Sequence, residues 1–336
     1  MIIKNTAPGI QTWRFLSQVF FVLLLLFIGW QFTLYVGWLD SGGVGDPPRR
    51  PPGAEGFLPI ASFMSLSYML QTGQIHPVHP AGLFIFLGII IMSWLAGKSF
   101  CSWVCPFGFL SETLEQVQRK FFKKPLSLPR WLDWPLRSLK YLLLGFFLFA
   151  ILQMGARELL AYLNGPYHAV SDVKMYRFFA QIAPFTLYTL MVLFALSLII
   201  PYFWCRYLCP YGALLGFIGL LSPNRITRVE SSCIDCAKCA KVCPARIKVD
   251  QVKQVRSDEC TSCYQCVDAC PVKDTLVIMN RPAKRALTKR TMAFVILGSF
   301  FLLLGLGMIT DNWQSSITPE KALELYPGID TYIHTN

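Results

Sequence analysis

Residues 233–271 read CIDCAKCAKVCPARIKVDQVKQVRSDECTSCYQCVDACP. Cys233, Cys236, Cys239 and Cys243 precede Pro244; Cys260, Cys263, Cys266 and Cys270 precede Pro271. Both runs are C-x2-C-x2-C-x3-C-P, the ligand spacing of paired [4Fe-4S] clusters, in which the fourth Cys of each run serves the other cluster. The spacing therefore assigns Cys233, Cys236, Cys239 and Cys270 to one cluster, and Cys260, Cys263, Cys266 and Cys243 to a second. Three closely spaced thiolates let a tight loop wrap three corners of a cube. The fourth comes from a distant segment, and Pro ends the loop by fixing φ. Zinc sites use paired C-x2-4-C ligands rather than triplets followed by C-x3-C-P. A disulfide framework belongs to short, exported chains.

The rest of the composition is that of a membrane protein. The chain has 336 residues, 54% hydrophobic and only 15% charged, where soluble domains carry about a quarter charged residues. Mean hydropathy is +0.45. All twelve Cys sit in ligand-like motifs. The net charge of +12 invites a nucleic-acid reading, but its distribution argues against one. Residues 1–37, 98–140 and 204–290 contribute +2, +5 and +8, while 38–80, 155–185 and 311–336 contribute −1, +1 and −3. The excess falls in alternate loops, the positive-inside pattern.

That pattern predicts five spans, with the amino terminus in the cytoplasm and the carboxyl terminus outside. Residues 15–38 carry no charge and exceed the roughly 20 residues that cross a bilayer. The run is too long for a cleaved signal peptide, and no small-x-small site follows it closely. Trp38 is placed as an interfacial anchor. Residues 39–57 read as an extended outer loop, and 57–70 as a re-entrant or interfacial helix ending at Gly73. Helix two is expected over 81–97, helix three over 138–155, helix four over 185–203 and helix five over 291–310. Between helices two and three, 111–137 reads as a basic amphipathic segment with Trp131 and Trp134 at the interface.

Two of the four His lie in Gln74-Ile75-His76-Pro77-Val78-His79-Pro80. The prolines hold the segment extended, as a rigid outer turn with solvated imidazoles. The sharper reading is a polar pocket at the outer surface in which His76 or His79 accepts a quinol proton; haem ligation is a weaker alternative. His168, Glu158 and Asp172, in the other outer loop, are expected to join that pocket. His76, His79 and His168 are thus the candidate quinone-site residues.

The inner ends of helices two and four repeat one motif. Phe100-Cys101-Ser102-Trp103-Val104-Cys105-Pro106-Phe107-Gly108 is matched by Trp204-Cys205-Arg206-Tyr207-Leu208-Cys209-Pro210-Tyr211-Gly212. Matching hairpins suggest a pseudo-twofold four-helix core. On a helix, each pair of thiols would lie one turn apart on one face. Two such faces would supply four thiolates, Cys101, Cys105, Cys205 and Cys209, for a third Fe–S cluster. Redox-active dithiols are an alternative, as are structural Cys acting as small hydrophobes.

The expected fold is mainly α: a polytopic membrane helix bundle with an inserted cytoplasmic two-cluster ferredoxin α+β domain. The boundaries are 1–222 for the membrane domain with helices one to four, 223–280 for the ferredoxin domain, and 281–336 for the fifth helix and outer tail. Within 223–280, Ala245–Val249 and Thr275–Met279 read as partner strands. No GxGxxG, P-loop or nucleophile motif is present.

The paired C-x3-C-P motifs at 101–106 and 205–210, followed by a two-cluster ferredoxin, resemble the membrane polyferredoxins typified by the NapH-type subunit of periplasmic nitrate reductase systems. The carboxy-terminal halves of the nitrous-oxide reductase accessory membrane protein and of an oxidase-assembly protein look similar. The likeness covers roughly residues 80–280 and carries over the twelve Cys. It implies electron relay between quinone or quinol and a partner in a multi-subunit complex of a bacterial or archaeal cytoplasmic membrane. The partner would be an extracytoplasmic cytochrome or reductase, or a cytoplasmic electron donor. A membrane reductase that supplies electrons for metal-cofactor assembly of another enzyme would use the same motifs. This chain departs in having no amino-terminal flavin-binding domain, and in its fifth helix and outer tail, expected to dock a partner.

Overall fold

The computed structural model describes residues 3–121 and 128–333. Part of the expected amphipathic segment, residues 122–127, lies outside the described residues, as do the ends of the chain. Among the described residues, three helices are long and apolar enough to cross a membrane: Gln11–Asp40, Trp131–Leu152 and Lys289–Ile309. A fourth crossing is counted only if Ser171–Ala180 and Pro184–Ile199 form one span across a 78° bend. The expected second helix is present as Pro80–Ala96, at 17 residues near the lower limit for a span. The expected third helix begins earlier, at Arg130, and carries Pro135 inside it, where the ring removes one backbone N–H from the ladder. The expected fourth helix stops at Ile199 rather than 203. The segment expected as a re-entrant or interfacial helix forms the helix Pro59–Thr72, closed by Gly73 at φ 73, a left-handed cap that suits Gly.

The chain divides into two compact units, with the divisions falling inside several helices. One comprises Met1–Val22, Ile89–Leu144 and Val192–Phe300. Its sheet has the order β1-β2-β3, with β1 Asn224–Arg228, β2 Leu276–Asn280 and β3 Arg285–Leu287, all antiparallel. Ile226 pairs with Ile278, and Met279 with Ala286; both isoleucines are buried. The expected strand 245–249 does not form. Arg246 has φ 56, and the Ile247 N–H donates to the Cys243 sulfur at 3.4 Å. The backbone there curls around a thiol instead of extending, and Asn224–Arg228 takes the pairing edge.

Asp268 gathers the starts of two long helices in this unit. Its carboxylate accepts from the Ile10 N–H at 3.0 Å and the Gln11 amide at 2.9 Å, and it pairs with Lys289. The chain before Ile10 also lies on the ferredoxin fold, where Asn5 N–H donates to Pro271 O and Lys273 N–H to Ile3 O.

The other unit comprises Leu23–Gly88, Gly145–Met191 and Phe301–Asn336. One of its cores joins Phe32, Tyr35, Trp38 and Leu39 to Val173, Tyr326 and Ile329. Trp38 is therefore not an exposed interfacial anchor. It is buried, and its indole donates to Gly45 O at 3.3 Å. Trp131 and Trp134, in contrast, are exposed. The tail after the fifth helix contributes Tyr326 and Ile329 to this core.

Candidate metal centre

The two ferredoxin ligand loops share a backbone recipe. Asp235 and Ala237 have φ 49 and 55; Ser262 and Tyr264, at the same offsets from the first Cys of each run, have φ 49 and 58. Non-glycine residues adopt this left-handed conformation at a cost of about 1–2 kcal/mol each. Here it turns each loop so that successive thiols face one point. Cys233, Cys236, Cys239 and Cys270 line one cavity. Cys243, Cys260, Cys263 and Cys266 line a second. Each cavity thus draws three thiols from one run and the fourth from the other. None of the twelve Cys is joined in a disulfide. Among the described residues, no three His, Cys, Asp or Glu side chains converge tightly enough to hold a single ion. Soft sulfur donors spread around a cavity suit a cluster, whose irons offer separate corners.

The paired motifs form a third set. Pro106 and Pro210 each begin a new helix, Pro106–Phe121 and Pro210–Gly219. The thiols are not one turn apart on a continuous helix, as the spacing suggested. The helix Phe100–Trp103 ends before Cys105, and Cys205 lies in a π-helical turn, Trp204–Leu208, that ends before the extended Cys209. The proline rings break each helix between the two Cys, which re-aims the second thiol. All four side chains nevertheless lie close enough to act on one another electrostatically. Ser111 Oγ lies 3.4 Å from Cys205 Sγ, and the Gly212 N–H donates to Cys209 Sγ at 3.2 Å. Gly108 is required by space, since a Cβ would stand 1.8 Å from the Cys101 carbonyl oxygen. Burial pushes the Cys101 thiol up to about 12 and the Cys205 thiol up to about 11. A bound metal group would draw thiolates from them.

This third set is hydrogen-bonded to the second ferredoxin loop. Lys98 N–H donates to Cys260 O at 3.3 Å, Ser102 Oγ to Thr261 O at 2.6 Å, and the Trp103 indole to Ser262 O at 3.2 Å. Gln265 Nε2 donates at 3.1 Å to Glu112, which is also held by the buried Arg14. Lys98 and Lys140 are buried and share Glu259, the residue before Cys260. Burial pulls the Lys98 ammonium down, but Glu259 and the thiols of Cys101, Cys205 and Cys209 outweigh it and hold it above its ordinary range. Burial likewise opposes the Glu259 charge, and the two lysines overcome it.

In the other unit, His76, His79 and His168 come together. The His168 ring lies 4.7 Å from that of His79 and 6.1 Å from that of His76. All three are buried, so the solvated turn is ruled out. His76 Nε2 meets Asn164 Oδ1 at 3.1 Å, and His79 Nε2 donates to His168 O at 2.8 Å. Among the described residues, neither ring nitrogen of His168 has a hydrogen-bond partner. Glu158 does not join them; it is exposed and accepts from the Gly155 N–H at 3.0 Å, capping its own helix. Asp172 is engaged by Arg50 at 2.7 Å and 2.8 Å. The carboxylate that does join is Glu55, which the sequence reading passed over as loop. It is buried, 3.4 Å from His79 Nδ1, and accepts from the Gly82 N–H at 2.8 Å. A lone acid between Gly-, Pro- and apolar neighbours was the available signal.

Residues 78–125 and 182–228 match a family model described as a 4Fe-4S binding domain, and 225–271 match a 4Fe-4S dicluster domain. The matched segments contain the paired motifs and the two ferredoxin runs. The chain is also 44% identical over 328 residues to the putative electron transport protein YccM of Escherichia coli K12, covering 96% of this chain and 92% of YccM. The chain belongs to the NapH/MauN polyferredoxin family. The polyferredoxin is 31% identical over 196 residues to the ferredoxin-type protein NapH of Haemophilus influenzae, covering 55% of this chain and 63% of NapH. It is 26% identical over 239 residues to the methylamine utilization ferredoxin-type protein MauN of Methylobacillus flagellatus, covering 69% and 74%. No solved structure matches it. These likenesses, with the three apolar helices, make the polyferredoxin a membrane-associated protein with an Fe–S electron-transfer role.

Proposed function

We propose that this polyferredoxin is a multi-pass subunit of a bacterial or archaeal cytoplasmic membrane that relays electrons between the quinone pool and a partner redox protein. The observation that carries the reading is the bonding of the Cys101–Cys105 segment to the Cys260–Cys263 ligand loop. It supports one contiguous series of thiol sets: Cys101, Cys105, Cys205 and Cys209; then Cys243, Cys260, Cys263 and Cys266; then Cys233, Cys236, Cys239 and Cys270. When bound, [4Fe-4S] groups exchange single electrons. The chain's part is to supply thiolates, bury them, and aim N–H donors and cations at them. Cys243 and Cys209 each accept from a backbone N–H, which favours the reduced form.

The quinone reading rests on the second unit. Its cavity of about 610 Å³ is lined by Leu24, Phe27, Ile28, Gln31, Arg49 and Trp313, among others, within the size range of small-molecule sites. The turn Pro52–Phe57 contributes Pro52 and Gly53 to that cavity, and its Glu55 reaches His79. The three His and Glu55 would form a polar site for a quinol, with the Glu55–His79 pair as its proton acceptor. The charge pattern supports cytoplasmic ferredoxin loops and an outer carboxyl terminus. Partners would then be an outer cytochrome or reductase, a cytoplasmic donor, and other subunits of a membrane complex. The test is Cys205→Ser in the intact membrane protein. Quinol-driven reduction of the ferredoxin clusters should slow at least tenfold while dithionite still reduces them; an unchanged rate contradicts the relay.

A further inference from the structure

Lysine is almost never fully buried unless paired, yet Lys98 is 3% exposed and Lys140 is fully buried. Both converge on one carboxylate. Glu259 Oε2 lies 3.6 Å from Lys98 Nζ, and Oε1 binds Lys140 Nζ. Lys140 Nζ also lies 3.9 Å from Asp258 Oδ2, a carboxylate 34% exposed and so screened by solvent, and the buried groups are two cations on one anion. The place of this excess positive charge is specific. A Cβ added to Gly212 would meet Lys98 Nζ and Cys209 Sγ, each at 3.5 Å, so ammonium and thiol flank the same glycine. Lys98 also lines the cavity that holds Cys101 and Cys205. Its backbone, through the bond to Cys260 O, touches the neighbouring ligand loop.

We propose that Lys98, positioned by Glu259 and Lys140, sets the reduction potential of the Cys101/Cys105/Cys205/Cys209 site. The proposal rests on the reading that these four thiolates hold a third cluster. Reduction of a cluster held there, by an electron from the neighbouring ligand set, would place one more negative charge beside the Lys98 ammonium, and nothing else would be consumed. In a buried site that attraction is weakly screened, so the cation favours the reduced state. Without it, the charge of four buried thiolates would hold the site too reducing to exchange electrons with the neighbouring ligand set. Lys140 keeps Glu259 from cancelling the Lys98 charge. Lys98 is therefore a positioning residue that acts through its charge.

The test is an anaerobic, EPR-monitored redox titration of the purified full-length protein as wild type, Lys98→Met, Lys98→Arg and Glu259→Gln, with iron counted in each. In Lys98→Met, Lys140 still pairs Glu259, so the carboxylate is not stranded. The signal abolished by Cys205→Ser should become harder to reduce, by about tenfold in its oxidised-to-reduced ratio at fixed potential, or ~59 mV for a one-electron couple. Lys98→Arg should restore it, and Glu259→Gln should shift it the opposite way. A wild-type potential in Lys98→Met, or the same shift in Lys98→Arg, overturns the proposal. If Lys98→Met loads no third cluster, Glu259→Gln decides: a shift to easier reduction supports the proposal and no shift overturns it. About eight rather than about twelve irons in the wild type, with no signal lost in Cys205→Ser, would instead remove the third cluster itself, and the proposal with it.

Discussion

At the scale of single residues, Gly108 and His168 carry the sharpest constraints. No residue with a Cβ fits at 108 without moving the Cys101 carbonyl. Gly108→Ala should lose the iron of the third site, about four atoms per chain, with the ferredoxin signals kept; metal analysis and EPR read this directly, and full iron content would contradict it. His168 is held well below its ordinary range by burial first, then by His79, His76 and Arg50, and burial also lowers His76. In the unfolded chain both titrate near 6.5. Below that value the unfolded state binds more protons than the folded one. Stability should therefore be full above about pH 6.5 and fall below it, by about 1.4 kcal/mol per pH unit for each group. His168→Leu should flatten part of that slope in thermal melts in detergent, and an unaltered slope would contradict it. The eight ferredoxin Cys were legible because their spacing alone gathers each triplet. Glu55, Lys98 and Glu259 were not, because their partners lie far along the chain and only packing brings them together.

At the scale of elements, local rules read some segments well and misread others. The helix Pro59–Thr72 and its Gly73 cap followed from apolar content and a left-handed stop. The strand 245–249 was misread because Ile247 and Val249 alternate as a strand would, while the ligand role of Cys243 imposes a curl. The C-x3-C spacing suggested one helical face; Pro106 and Pro210 break it, and the thiols meet through a short helix and a π-turn instead. Asp268 is the element-scale anchor, tying the starts of Gln11–Asp40 and Lys289–Ile309 to the ferredoxin fold. Asp268→Ala should lower stability by about 1.5–3 kcal/mol, the range for hydrogen bonds to a charged group. It should also speed proteolysis within residues 3–10. Wild-type denaturation and cleavage rates would remove the anchor role.

At the scale of the whole molecule, charge and cysteine placement favour one direction of argument. Residues 204–290 carry +8, a field that stabilises reduced, anionic clusters and attracts an acidic soluble partner. Rates with such a partner should fall steeply as salt rises; salt-independent rates would deny the steering. The central claim is exchange of electrons with quinone. The most direct measurement is anaerobic stopped flow on the purified protein in both senses: oxidised protein with a menaquinol analogue, and reduced protein with the quinone. The account predicts that the visible absorbance of the clusters responds in at least one sense, and that Cys205→Ser slows the response. No response in either sense, with dithionite still reducing the clusters, would contradict it.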